Sequence, residues 1–256
     1  MDSKLFSGFF LAFICTNKGF FVRDGIQKVT TAKFGDIIGF TERVKFGNQT
    51  LQVRKFLGIP YAEPPTGNLR FEKPVMKTRL HTPFKALNYS SKCPQPQLEY
   101  GTMSEDCLYL NIFTPSDSSS TNVAPKPVMI WIHGGAFIEG YSDIYAGDII
   151  SSLADVIVVT LNYRLGVLGF FSTHDPTAKG NCGLWDQQLA IRWVNENIAD
   201  FGGDTTNITI FGESAGSSSV IYQMLYPGNK GLFKRATAES VSVHSCKLLR
   251  LGLEYV

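Results

Sequence analysis

Nowhere does this chain carry an apolar run of the roughly 18 residues that a membrane-crossing helix needs, so no transmembrane span is expected. An excess of charge is missing as well. Its 24 basic and 22 acidic residues leave a formal charge of +2, spread along the sequence, and so give no basic stripe for nucleic acid. Histidine is scarce, with four in 256 residues, and no Cys-x-x-Cys or His-x-x-x-His pair occurs, so no metal site and no cofactor are expected. Internal repeats and long low-complexity segments are also absent. What remains is a chain with 44% hydrophobic residues, long enough for one large domain with a sizeable core.

The beginning of the chain differs from the rest. Lys4 precedes an apolar stretch, 5–15, and a small polar run, 16–19, so residues 1–19 read as a secretory signal peptide; an amphipathic N-terminal strand or anchor is the alternative, since Asp2 dilutes the positive end. Export agrees with the sequons at Asn48, Asn88 and Asn207, although Asn207 falls in an expected buried strand; Asn48 and Asn88 are the glycosylation candidates. With Cys15 in the leader, Cys93, Cys107, Cys182 and Cys246 are left, and spacing alone does not assign their pairs. Cys93 and Cys107 enclose a short loop rich in proline and glycine, of a kind that a disulfide closes in an oxidising compartment.

Residues 37–44 and 51–56 read as strands joined by a hairpin turn at Gly47-Asn48. A proline-punctuated stretch leads to a further strand at 108–113, and the polar, serine-rich 116–127 reads as a surface connection. Two continuous β-branched runs, 128–132 and 156–161, have the composition of parallel strands buried on both faces. Within 183–200, Leu184, Ile191, Val194 and Ile198 recur at helical spacing. A short strand at 208–211 and a helix at 215–225, broken by Pro227 and Gly228, complete an alternation of strand and helix that predicts an α/β fold.

Two motifs carry chemistry. Gly212-Glu213-Ser214-Ala215-Gly216 lies where the 208–211 strand turns into the 215–225 helix, the context of a G-x-S-x-G nucleophile elbow. A serine there must sit on a tight turn that lifts its hydroxyl from the sheet, so the residues two before and two after it need to be almost free of side chain. The helix start adds free N–H groups and a favourable dipole for a developing oxyanion. Trp131-Ile132-His133-Gly134-Gly135-Ala136-Phe137 follows a buried strand and matches an HGGG-type loop, whose backbone amides bind a tetrahedral intermediate. Ser214 is therefore the candidate nucleophile, and the amides of Gly135, Ala136 and Ala215 are the candidate oxyanion hole.

From about residue 37 to 240 the sequence resembles the type B carboxylesterase and cholinesterase family. Four blocks carry the likeness. They are Gly58-Ile59-Pro60-Tyr61-Ala62 with Pro64-Pro65 and Leu69-Arg70-Phe71; Glu105-Asp106-Cys107-Leu108-Tyr109-Leu110-Asn111; the Trp131 to Phe137 loop; and Phe201-Gly202-Gly203-Asp204 through Gly216. The resemblance implies the N-terminal portion of an α/β-hydrolase fold, a mostly parallel sheet with flanking helices. It also implies a Cys93–Cys107 disulfide and ion pairs of Arg70 with Glu105 and Arg164 with Asp186. For Glu213 it implies a buried supporting role that orders water and helps polarise the site; a structural role is the alternative. Cholinesterase relatives hold a tryptophan ten positions before the cysteine matching Cys107, as a cation–π platform for quaternary ammonium. Gln97 stands there, so choline esters are not the expected substrates.

A serine nucleophile needs a histidine base and a carboxylate to orient it, and in this fold they follow the serine in the order acid, then histidine. After Ser214 the chain holds Glu239, Glu254 and His244, and His244 follows the next expected strand too closely to return over the elbow. His81, His133 and His174 are no better placed. The resemblance implies that acid and base lie beyond residue 256, so that 20–256 is a truncated domain with an exposed sheet edge. The expected function is hydrolysis of a small-molecule carboxylic ester, in a secreted or lumenal protein. Two other readings compete with it: a non-catalytic adhesion or binding relative, and an inactive fragment of an esterase.

Overall fold

The computed structural model describes residues 22–96, 101–116, 124–173, 175 and 177–240. The expected leader, Gln97, His174, His244, Cys246 and Glu254 lie outside these residues. The fold is built on one sheet. Strands β1 (Val22–Thr31), β2 (Gly35–Phe46) and β3 (Gln49–Pro60) form an antiparallel meander, with Phe46 opposite Gln49 across the expected Gly47-Asn48 turn. Gly47 takes a positive φ of 58°, which that two-residue turn demands. After the short β4 (Phe84–Lys85) come β5 (Tyr109–Pro115), β6 (Lys126–Ile132), β7 (Ile157–Leu161), β8 (Gly203–Glu213) and β9 (Arg235–Glu239). The spatial order is β1-β2-β3-β5-β7-β6-β8-β9, with β4 beside β2.

The expected α/β sheet is present, and it is mixed. From β1 to β7 the neighbours along that order run antiparallel; β7, β6, β8 and β9 run parallel. Chain connectivity explains the division. The tight turns that join β1, β2 and β3 permit only antiparallel neighbours, whereas the parallel neighbours β6–β7 and β8–β9 are joined by helical crossovers. The crossovers carry α1 (Asp148–Ala154), between β6 and β7; α2 (Gly166–Phe170) and α3 (Cys182–Asn197), between β7 and β8; and α4 (Ala215–Leu225), between β8 and β9. The helix expected over 183–200 ends at Asn197 and tightens into a 3₁₀ turn, Ile198–Phe201, closed by Gly202 at φ 90°.

Strand alternation divides the core into two layers. Val128, Ile130 and Ile132 of β6, Ile157, Val159 and Leu161 of β7, and Ile208 and Ile210 of β8 pack into the larger layer, with Ile191, Trp193 and Val194 of α3 and Val220 of α4. Trp131, Val158 and Phe211 point the other way, to Ile149 and Ile150 of α1. The two ion pairs are present: Arg70 to Glu105 at 2.6 Å and Arg164 to Asp186 at 2.7 Å. Cys93 and Cys107 are joined in a disulfide, and the remaining described cysteine, Cys182, is buried and free. Asn48 and Asn88 are exposed. Asn207 lies in β8 as expected, half-buried rather than buried, and its Oδ1 accepts from Arg235 Nη1 at 2.5 Å. Among the described residues no helix is long and apolar enough to cross a membrane.

Candidate active site

Ser214 stands between β8 and α4, at the C-terminal edge of the parallel strands, with φ 56° and ψ −121°. A side-chain-bearing residue pays about 1 to 3 kcal/mol to hold such a backbone, and it persists only where the surroundings fix it. Those surroundings are the flanking glycines. A β-carbon on Gly212 would meet Ile132 O at 2.6 Å and Gly216 C at 2.7 Å, and one on Gly216 would meet Ile132 O at 2.0 Å. The glycine requirement read from the motif is thus a close crossing of the elbow over the end of β6. The N–H of Ser214 donates to Glu239 O at 3.2 Å, which ties the turn to the end of β9.

The glycine loop that follows β6 lies directly against this turn. A β-carbon on Gly134 would come within 2.6 Å of Glu213 O and 3.2 Å of Ser214 Cβ. Gly135, Ala136 and Phe137 take positive φ values of 107°, 53° and 61°, and the amides of Ile138 and Glu139 close the loop on Gly135 O at 2.9 and 3.0 Å. Among the described residues, the amides of Gly135, Ala136 and Ala215 make no hydrogen bond. No side chain caps α4, so its start presents free donors beside Ser214. The candidate nucleophile and the glycine loop thus follow two adjacent parallel strands and lie against one another at the C-terminal ends of those strands. Those ends are where α/β folds place their ligands.

Electrostatics around the turn come from three groups. The His133 ring stacks on Tyr163, with centroids 4.3 Å apart, and Tyr163 Oη donates to His133 O at 2.8 Å. Burial pushes the imidazole pKa down to about 4. Its Nδ1 lies 2.8 Å from Gly134 O, a pure acceptor, so the neutral ring carries its proton on Nδ1 and donates it to the loop. His133 is thereby committed to holding the loop. Neither it nor His81 bonds to Ser214 among the described residues. Glu213 is partly buried at the end of β8 and stands in register with Glu239 of β9. The Glu239 carboxyl is raised above the usual range by burial and by the charge of Glu213. As a neighbour of the elbow, Glu239 was not legible from sequence, because strand pairing rather than spacing brings it there; its position at the end of a parallel strand was the available signal.

The chain matches the model of the carboxylesterase family over residues 26–249. It is 42% identical over 233 residues to cocaine esterase of Homo sapiens, an alignment covering 85% of this chain and 41% of that relative. It is 43% identical over 225 residues to para-nitrobenzyl esterase of Bacillus subtilis (strain 168), covering 84% and 44%. To acetylcholinesterase-1 of Trittame loki it is 44% identical over 200 residues, covering 74% and 36%. A solved structure of PNB esterase superimposes with a TM-score of 0.73 at 44% identity, covering 84% of this chain and 44% of that one. The chain thus spans less than half the length of these relatives. It belongs to the carboxylesterase family.

Proposed function

We propose that the protein hydrolyses small-molecule carboxylic esters through an acyl-enzyme on Ser214. The observation that carries the reading is the close approach of Ser214, on its positive-φ turn, and the glycine loop, whose amides at Gly135 and Ala136 make no hydrogen bond among the described residues. In this mechanism Ser214 Oγ attacks the ester carbonyl while a base takes its proton. The amides of Gly135, Ala136 and Ala215 hold the oxyanion, collapse expels the alcohol with that proton, and water repeats the sequence on the acyl group. Glu213 supports the site through its charge beside the turn. For the base and its orienting carboxylate the reading relies on the family order of serine, then acid, then histidine, which puts both downstream of Ser214; among the described residues neither His81 nor His133 bonds to Ser214. No cofactor enters such a reaction. Gln97 argues against choline esters as substrates.

In the protein extended through its downstream sequence, a 4-nitrophenyl ester should be turned over, and Ser214→Ala should lower kcat by at least about 10⁴-fold. Residual turnover in that variant close to wild type would remove Ser214 from the mechanism. A non-catalytic binding role draws support from the lack, among the described residues, of a histidine bonded to Ser214, but the intact elbow and glycine loop weigh against it.

The same proposal places the protein in the secretory pathway, with 1–19 as its signal peptide and 20–256 as part of its carboxylesterase domain. The support is the leader composition, the Cys93–Cys107 disulfide and the exposed sequons. Expression through a eukaryotic secretory route should give a product whose mass falls on glycosidase treatment. Asn48→Gln and Asn88→Gln should each remove part of that shift, and an unshifted wild-type protein would count against the assignment.

A further inference from the structure

The glycine loop is pinned at three places. At its entrance, Tyr163 Oη holds His133 O; in its middle, Gly166 N–H donates to Phe137 O at 2.7 Å. The exit is held by one side chain from a distant segment. Gln95 Nε2 donates to Gly140 O at 3.1 Å, and Gln95 Oε1 accepts the Gly140 N–H at 3.0 Å. The second Nε2 hydrogen goes to Cys93 O at 3.1 Å, so every bond of this amide serves either Gly140 or its own loop. Gly140, at φ 116°, in turn presses on the loop: a β-carbon there would lie 2.5 Å from both Gly134 O and His133 Nδ1. A shift of Gly140 is therefore a shift of Gly134 and of the donors that follow it.

We propose that Gln95 is a positioning residue for ester hydrolysis, clamping Gly140 so that the amides of Gly135 and Ala136 stay aimed at the oxyanion; this rests on the ester-hydrolase reading above. Gln95 is only partly buried and belongs to no helix or strand. Its two bonds to Gly140 close no ladder and no turn of secondary structure. They join the disulfide-closed loop, anchored on the sheet by Cys93–Cys107 just before β5, to the loop that carries the donors. Without the clamp, Ala136 and Phe137 would keep their positive φ with the loop exit untied. Preorganised donors lose their effect when they must be reoriented during the reaction.

The test uses the full-length protein and two variants. Gln95→Met keeps the volume and removes both bonds to Gly140; Gln95→Glu keeps an acceptor for the Gly140 N–H and loses the donor. Both variants should lose kcat, by about 10- to 100-fold in Met, as for a displaced oxyanion donor, and by at least as much in Glu, whose second carboxylate oxygen is set against the carbonyls of Gly140 and Cys93. KM and the unfolding midpoint should stay close to wild type, a split that a merely structural role would not give. The amides of Ile138 and Glu139, which close the loop on Gly135 O, should exchange hydrogen faster in Gln95→Met. Wild-type kcat in Gln95→Met, or a loss shared equally by kcat, KM and the unfolding midpoint, would overturn the proposal. Should the wild type hydrolyse no ester, the ester-hydrolase reading fails by itself, and exchange decides the clamp: faster at Ile138 and Glu139 supports it, unchanged refutes it.

Discussion

The imidazole of His133 is held neutral by burial, with a pKa of about 4, while in the unfolded chain it titrates near 6.5. Above about pH 6.5 neither form is protonated and the folded state keeps its full stability. As the pH falls toward 4, the unfolded chain binds a proton that the folded one refuses, so stability is lost through that window and levels off below it. The full loss is about 3 kcal/mol, since each tenfold difference in proton affinity between the two states is worth roughly 1.4 kcal/mol. Urea midpoints measured near pH 7.5 and near pH 4.5 should fall less in His133→Gln than in wild type. Equal falls would mean that His133 does not carry the dependence. The same residue shows what local sequence reveals: the Gly-x-Ser-x-Gly and His-Gly-Gly patterns are written within a few positions, and so is the need for glycine at 212 and 216. The partners of the turn were not. Glu239 and Gln95 arrive by strand pairing and by a loop contact 45 residues from Gly140.

Between elements, two ion pairs of the same chemistry differ in surroundings. Arg164, in the connection from β7 to α2, donates to both oxygens of Asp186 in α3 at 2.7 and 2.8 Å, and both side chains are almost wholly buried. Arg70 and Glu105 are also doubly bonded, at 2.6 and 2.7 Å, but remain 43% and 29% exposed. Removing one partner from a buried pair strands the other charge, at a cost of about 3 to 5 kcal/mol. A solvated pair contributes less than about 1 kcal/mol. Asp186→Ala should thus lower the unfolding free energy several times more than Glu105→Ala, read as denaturant midpoints. Comparable losses would mean that burial does not set the difference. Both pairs came from the family likeness, since no periodicity joins positions so far apart. The longer strands and the two long helices were legible from apolar runs and helical spacing. β1 was not, because its side chains are mostly exposed and show no apolar run; α1 and α2, at seven and five residues, are too short to show a period.

Across the molecule, the sheet order sets which parts open first. β7 is buried along its whole length and lies between β5 and β6, while β6 lies between β7 and β8; both core layers close on them. Among the described residues β1 pairs only with β2, and it carries Ile26 at 78% exposure, so little apolar surface opposes its release. Local opening draws on regions with few buried contacts, whereas central strands exchange only when the whole domain unfolds. Under native conditions the β1 amides should exchange well before those of β6 and β7. Mild denaturant should speed the central strands steeply and β1 hardly at all, because β1 opens with little new surface exposed. If β1 and β7 instead exchange together with the same denaturant slope, the antiparallel meander and the parallel strands unfold as one unit. In that case the change at β7 from antiparallel to parallel pairing has no energetic counterpart.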